Sequence, residues 1–306
     1  MYRSASRTHQ RENFFKYSSA ATALAVLQKR SLRWSSPQLF NDPFDVPAEL
    51  APGIAQAEFI DACAQSLSNL IDNPPNDTSY LAPNVRLLID LLKENSTPEL
   101  KKTLVEALKD TSEFHGRTND GMEAFREHWR SMVPEMRILC MTECPDHASM
   151  WCHYADDYKG VVIELRCVDE LDSAWLGARP VRYQLEKPEV YTAKGWADIL
   201  VMDTQQAVER LLHVATHTKS NDWSSEREWR IASYKRPGES GLFSDYGFNP
   251  TEIGRVYLGP KIDRAARESL LRAIHAYPNA RPVAVPSASH ANFYSKKFSG
   301  RSSHMT

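Results

Sequence analysis

The sequence predicts an α+β protein in which a small mixed β-sheet carries an all-helical insertion. Three observations predict it. Short apolar or alternating runs of strand length occur near the start and return from Arg137 onward. Between them, over about residues 55–132, apolar residues recur every three and four positions, the period of an amphipathic helix. The 306 residues are 42% hydrophobic and 25% charged, near the globular average, which excludes disordered, collagen-like and coiled-coil classes for the bulk of the chain.

The elements follow in order. Residues 1–12 are polar, carry Arg3, Arg7 and Arg11, and are expected to fray. Residues 14–17 form an aromatic strand, and residues 19–28 a short helix with Ser18 or Ser19 as its cap. Residues 32–35 alternate like a strand before Pro37 and Asn41-Asp42-Pro43 force a loop. In the insertion, Phe59 to Ile71, Val85 to Leu92 and Leu100 to Leu108 mark three amphipathic helices, the last opening at Pro98 behind a Thr97 cap. This insertion reads as a lid or partner surface. Strands return at 137–142 and at 160–165, the second apolar on both faces. One helical stretch is expected over 194–218, strands over 228–234 and 253–258, a helix over 262–276 and a last strand over 281–285. The domain spans 13–295, with 296–306 as a flexible tail.

Charge and cysteines narrow the class. Thirty-seven basic against 39 acidic residues leave a net charge of -2, which argues against a general nucleic-acid coat but not against one local groove. Five cysteines in so long a chain do not read as a disulfide framework. No run reaches about 18 apolar residues, and residues 20–27 lack a cleavage site behind them. A cytoplasmic protein that does not contact the membrane is expected. Cys140, Cys144, His147, Cys152 and His153 crowd fourteen residues but lack zinc-ligand spacing, so no metal is expected. Walker, G-x-G-x-x-G and G-x-S-x-G motifs are absent.

Three constellations concentrate chemistry. The first is Phe15-Lys16-Tyr17 with Ser35 and the Asn41 to Asp45 turn. The second runs from Met150-Trp151 through His153-Tyr154 to Lys159-Gly160, with aromatic planes beside His and Lys. The third is Trp223 to Ile231. A strand there puts Glu226, Glu228 and Arg230 on one face and Arg227, Trp229 and Ile231 on the other. Each also has a plain structural reading: a rigid turn, a linker helix packed by its aromatics, and a half-exposed strand whose Glu228–Arg230 pair contributes little.

In this order the constellations resemble DUF2971, a bacterial family of uncharacterised proteins. The resemblance rests on Phe15-Lys16-Tyr17, Ser36-Pro37 through Asp45, Met150-Trp151 through Lys159-Gly160, Trp223 through Arg230, and Tyr257-Leu258-Gly259-Pro260. A looser likeness is to ADP-ribosyltransferase-like folds. It implies an NAD-dependent ADP-ribosyltransferase or NAD glycohydrolase, acting as a toxin or phage-defence effector on a protein or nucleic-acid acceptor. On that likeness the first-strand position falls on Lys16 or Tyr17, the stacking aromatic on Trp151 or Tyr154, and the late-strand carboxylate on Glu226 or Glu228. The catalytic candidates are thus Glu228, Glu226, Tyr17 and His153. The NAD-binding candidates are Lys16, Ser35, Asn41, Asp42, Asp45, Trp151, Tyr154, Lys159 and Arg230. Two rivals stand beside it: a metal-dependent nuclease or phosphoesterase using Asp42, Asp45, His153 and Glu228, and a non-catalytic binding module.

Overall fold

The structure is a computed structural model that describes residues 2–42, 45–47, 54–95, 97–108, 115–186 and 188–285. Pro43, Phe44 and the expected tail 296–306 lie outside the described residues. Aromatic residues on alternate positions make β1 (Asn13–Ser18), and the Ser19 side chain then accepts from the Thr22 N–H to start α1 (Ala20–Lys29). Arg30, at φ 53°, ends the helix and turns the chain into β2 (Ser31–Ser35). The insertion follows as α2 (Gln56–Asp72), α3 (Pro83–Asn95), α4 (Pro98–Ala107) and α5 (His115–Met132). Thr97 caps α4 ahead of Pro98, as its sequence implies.

The chain then returns to the sheet in β3 (Met136–Thr142), passes through α6 (Ala148–Tyr154) and enters β4 (Val161–Arg166), which is buried on both faces. After β5 (Arg179–Pro180) and β6 (Arg182–Gln184) come α7 (Ala193–Leu200), α8 (Thr204–His217) and β7 (Thr218–Ser220). The order closes with β8 (Glu228–Tyr234), β9 (Phe243–Gly247), β10 (Ile253–Leu258), α9 (Arg264–Ile274) and β11 (Arg281–Ala284).

The main sheet runs β11-β10-β4-β1-β3-β2-β9, with β8 along β3 and β5 on β8. β10 and β11 are parallel and the other pairings are antiparallel, so the sheet is mixed. β8 pairs with β3 over seven residues. Along its other edge β3 meets β1 at Phe15 and Thr142 and β2 at Ser35 and Ile138. β1 and β2 thus diverge along one edge of β3, and the sheet splits there.

Alternation sorts the side chains onto two faces. Phe14, Leu32, Trp34, Leu139, Met141, Ile163 and Val256 build the main core beneath α1 and α9. On the opposite face lie two smaller cores. Phe15, Tyr17, Val162 and Tyr257 pack with Trp151 of α6. Met136 and Ile138 pack with Phe59 of α2, Trp129 of α5, Trp196 of α7 and Leu211 of α8. The split in the sheet opens between these two cores.

Three expectations change. The leader does not fray: Arg7 pairs with Asp169 at 2.7 Å, the Thr8 N–H donates to Leu176 O, and buried His9 bonds Trp175 O. Its polar side chains dock on the segment after β4, so polarity here reflects partners rather than solvent. The helical stretch at 194–218 breaks between α7 and α8, because the backbone of 80–82 in the insertion takes the bonds of Val201 and Asp203. β9 joins the sheet beside β2, though its sequence, Phe-Ser-Asp-Tyr-Gly, gives no apolar run. Among the described residues, no helix is long and apolar enough to cross a membrane.

Candidate active site

The split holds a cavity of about 200 Å³. Its walls come from β1 (Phe15, Lys16, Tyr17), β2 (Arg33, Ser35), the turn after β2 (Phe40, Asn41, Asp42, Asp45), β3 (Ile138, Cys140, Thr142) and α6 (Met150, Tyr154). Lys219, Trp223, Glu226 and Glu228 close the last side. Residues more than two hundred positions apart therefore meet on one face of the sheet.

Glu226 and Glu228 reach the cavity by different routes. Glu226 ends a 3-10 turn over Asn221–Glu226, and β8 starts only at Glu228. Between them Arg227 adopts φ 46°, a left-handed conformation unusual for its residue type. That kink is pinned on both sides. The Thr142 hydroxyl donates to Glu226 O at 2.7 Å, and the Glu228 N–H donates to the Tyr183 hydroxyl at 2.8 Å. Trp229, on the other face, packs against Phe14 and His9 in the main core, as the alternation implies.

Both carboxylates meet Lys219. Its ammonium lies 2.7 Å from Glu226 Oε2, 3.4 Å from Glu228 Oε2 and 3.4 Å from Asp45 Oδ2, and it sits 4.8 Å from the Trp223 ring centre. Behind it, Arg230 uses all five of its N–H donors. Nε and one terminal nitrogen donate to Glu228, both terminal nitrogens donate to Asp45, and one also donates to Thr216 O. Burial opposes a charge on Arg230 and on Lys219. The carboxylates of Glu228 and Asp45 more than offset it, so both cations are held protonated. Burial alone would raise the Glu228 carboxyl, but the Arg230 guanidinium against it brings the value down to about 2.

The free energy of this cluster rests on pairing. A buried ion costs several kcal/mol unless its partners are complete, at roughly 3–5 kcal/mol for removing one partner. Three carboxylates face two cations here. Lys16 and Asp42 on the wall offset one another and Arg33 is paired with Asp245, so the cavity keeps one carboxylate in excess. Glu226 is the least enclosed by partners: it accepts from the Tyr154 hydroxyl at 2.6 Å and from Lys219. Burial, and then the neighbouring Glu226, raises the Tyr154 phenol well above its ordinary value, keeping it a donor.

Of the residues singled out from sequence, Lys16, Tyr17, Ser35, Asn41, Asp42, Asp45, Tyr154, Glu226 and Glu228 line the cavity. The Tyr17 hydroxyl is engaged with Cys144 O and the His147 N–H, so this residue contributes its ring to the wall. Lys16 donates to Cys140 O at 2.7 Å inside the split. Four candidates stand elsewhere. His153 and Lys159 are exposed on α6 and the loop after it, outside the cavity. Trp151 is buried beneath the site, edge-on to Tyr17 and stacked 5.8 Å from Tyr158. Arg230 lies behind the wall as the partner of Asp45 and Glu228. Helix periodicity accounts for the split in α6: Trp151 and Tyr154 both turn inward while His153 faces out.

Sequence reasoning missed Lys219, Trp223 as a wall, and Tyr183. Lys219 sits in the three-residue strand β7 after α8, where no periodicity marks it. Its one signal is a lysine seven residues before Glu226. The nuclease reading needs Asp42, Asp45, His153 and Glu228 around one ion. His153 is exposed outside the cavity, and the oxygens of Asp45, Glu226 and Glu228 converge on the Lys219 ammonium. Among the described residues, no cluster of three or more His, Cys, Asp or Glu side chains has the geometry to hold a metal.

No curated protein and no solved structure matches the chain. Residues 150–231 match the family model DUF2971, a protein of unknown function. The match runs from Met150 to Ile231 and so carries Tyr154, Lys219, Trp223, Glu226 and Glu228, while β1, β2 and the Asp45 turn lie outside it. The likeness to DUF2971 thus covers the part of the chain that supplies Glu226 and Glu228 and leaves most of the chain unmatched.

Proposed function

We propose that the chain cleaves the nicotinamide–ribose bond of NAD, as an ADP-ribosyltransferase-like enzyme or an NAD glycohydrolase. The observation that carries this reading is Glu226: a carboxylate fixed by Tyr154 and Lys219, in a cleft walled by Tyr17, Phe40 and Trp223 where the sheet splits. The excess negative charge suits a cationic pyridinium ring, and the aromatic walls suit its plane. As the C–N bond breaks, its electron pair leaves with nicotinamide and positive charge moves to the ribose. A preorganised carboxylate stabilises that oxocarbenium character without reorganising. Water, or a nucleophile on an acceptor protein or nucleic acid, then bonds to the ribose carbon. Ser35 and Lys16 line the same cavity and would orient the sugar and phosphate.

The cavity is smaller than the roughly 300–1,000 Å³ of sites that bury a whole drug-sized ligand. On this reading it would take the nicotinamide riboside end and leave the adenosine end outside. The test is incubation of purified protein with NAD, without added metal, and measurement of released nicotinamide. Release that is lost in Glu226→Gln supports the reading. No release, or metal-dependent cleavage of nucleic acid instead, overturns it.

A further inference from the structure

A second cavity, of about 500 Å³, lies on the far side of Arg230 from the first. Arg179, Glu209, His213, His217 and Tyr234 give it polar groups, and Met136, Leu212 and Ile231 give it apolar walls. Its basic groups are arranged in an unusual way. Arg179 on β5 stands directly across from Arg230 on β8, so two guanidinium groups share one sheet face. Like charges directly opposite destabilise a strand pair. Arg230 is neutralised by Asp45 and Glu228 on the side of the first cavity. Arg179 has no ion-pair or hydrogen-bond partner among the described residues, and it faces the two imidazoles.

His213 and His217 lie one turn apart on α8, with rings 4.8 Å apart and nearly parallel. His217 is buried, bonded to the Thr216 hydroxyl at 2.8 Å and 3.4 Å from Arg230 O. Burial and then Arg179 hold His213 below its ordinary value, and burial, then His213, holds His217 below its own. The carboxylate facing this cluster is Glu209, exposed and already accepting from Gln205 at 3.0 Å. Two imidazoles and a guanidinium thus converge on a roomy cavity with one weakly engaged counter-charge.

We propose that this second cavity is a binding site for a small phosphate-bearing anion, held by the Arg179 fork and by the imidazole of His213, with His217, whose two ring nitrogens are engaged within the protein, packed against the His213 ring. A guanidinium matches phosphate oxygens in a bidentate fashion, and the His213 ring, which has no hydrogen-bond partner among the described residues, can donate to the same anion. The apolar walls would cover the organic part of such a ligand. The site is independent of the NAD reading, since it uses no residue assigned to that reaction.

Inorganic phosphate is the probe. Titrated into the full chain, it should shift the ring signals of His213 and His217 saturably in NMR spectra and raise their titration midpoints, while chloride of matched ionic strength does neither. Arg179→Gln, a substitution at an exposed position that removes the charge and the guanidinium fork, should weaken phosphate binding by about tenfold or more. His213→Ala tests the imidazole arm and should weaken it as well. An absence of saturable shift in the wild type, a chloride effect equal to that of phosphate, or unchanged affinity in Arg179→Gln would each overturn the proposal.

Discussion

Glu226 and Glu228 look equivalent in the sequence, but their partners make them different residues. Glu228 is buried, and both its oxygens are taken by Arg230. It is a structural partner, not the weakly held surface ion pair that the strand pattern implied. Glu228→Gln leaves a buried guanidinium half-paired and should cost about 3–5 kcal/mol of stability, read as a lowered denaturant midpoint. Glu226→Gln keeps both of its donors within reach. It should leave the fold intact and reduce NAD turnover on the order of a hundredfold, mainly in kcat. Equal turnover in the Glu226→Gln and wild-type proteins would remove it from the chemistry. Acid sensitivity follows from the same side chains. Burial holds His217 at about 4, below its ordinary 6.5, so its neutral form stabilises the fold fully above pH 6.5 and loses that contribution as pH falls through 4. Glu228, depressed to about 2, keeps its contribution above the ordinary carboxylate value and loses it as pH falls toward 2. Thermal midpoints should therefore begin to drop below about pH 6.5 in the wild type, and this first phase should be smaller in His217→Asn, with His9 and His213, also held low by burial, supplying the remainder.

At the scale of elements, what was legible is what local pattern controls. β1, α1, β2, β3, β4, β8 and β10 fall where aromatic alternation, a serine cap or an apolar run placed them. The α7–α8 break was not legible, because no Pro or Gly marks it. It exists because the insertion's backbone at 80–82 competes for its hydrogen bonds. The site divides the same way. Residues on β1, α6 and β8 could be named from motifs, whereas Lys219 becomes a site residue only when a short strand is laid beside the Glu226 turn. Gly160, where α6's loop enters β4, is a point at which one motif residue has a purely steric reason. A Cβ there would lie 2.2 Å from Ser18 O and 2.8 Å from Ala155 O, both backbone atoms that cannot yield without moving β1 or the turn. Gly160→Ala should cost about 1–3 kcal/mol or more. It should also disturb the cavity, since β1 carries Tyr17. A variant as stable as the wild type would mean that this junction has room the packing does not show.

For the whole molecule, the question is whether the helical insertion is an appendage or part of the body. Read from sequence it is a lid or partner surface. In the fold its core is continuous with the sheet: Phe59 and Trp129 pack with Ile138 and Met136 of β3 and with Trp196 and Leu211 of α7 and α8. Trp129 is fully buried, and its Nε1–H donates to Pro47 O at 2.8 Å. Pro47 lies two residues after Asp45, the carboxylate that pairs with Arg230 and Lys219. One side chain of the insertion thus braces both the second core and the turn that completes the charge cluster. Trp129→Ala should cost about 3–5 kcal/mol by cavity formation, and the chain should still melt in a single transition, because the cores share β3. Catalysis should fall along with stability, since the Asp45 turn loosens, and lowering the temperature should restore part of it. Two separate melting transitions, or lost activity at an unchanged melting temperature, would show instead that the insertion folds by itself and acts on the cleft only as a lid.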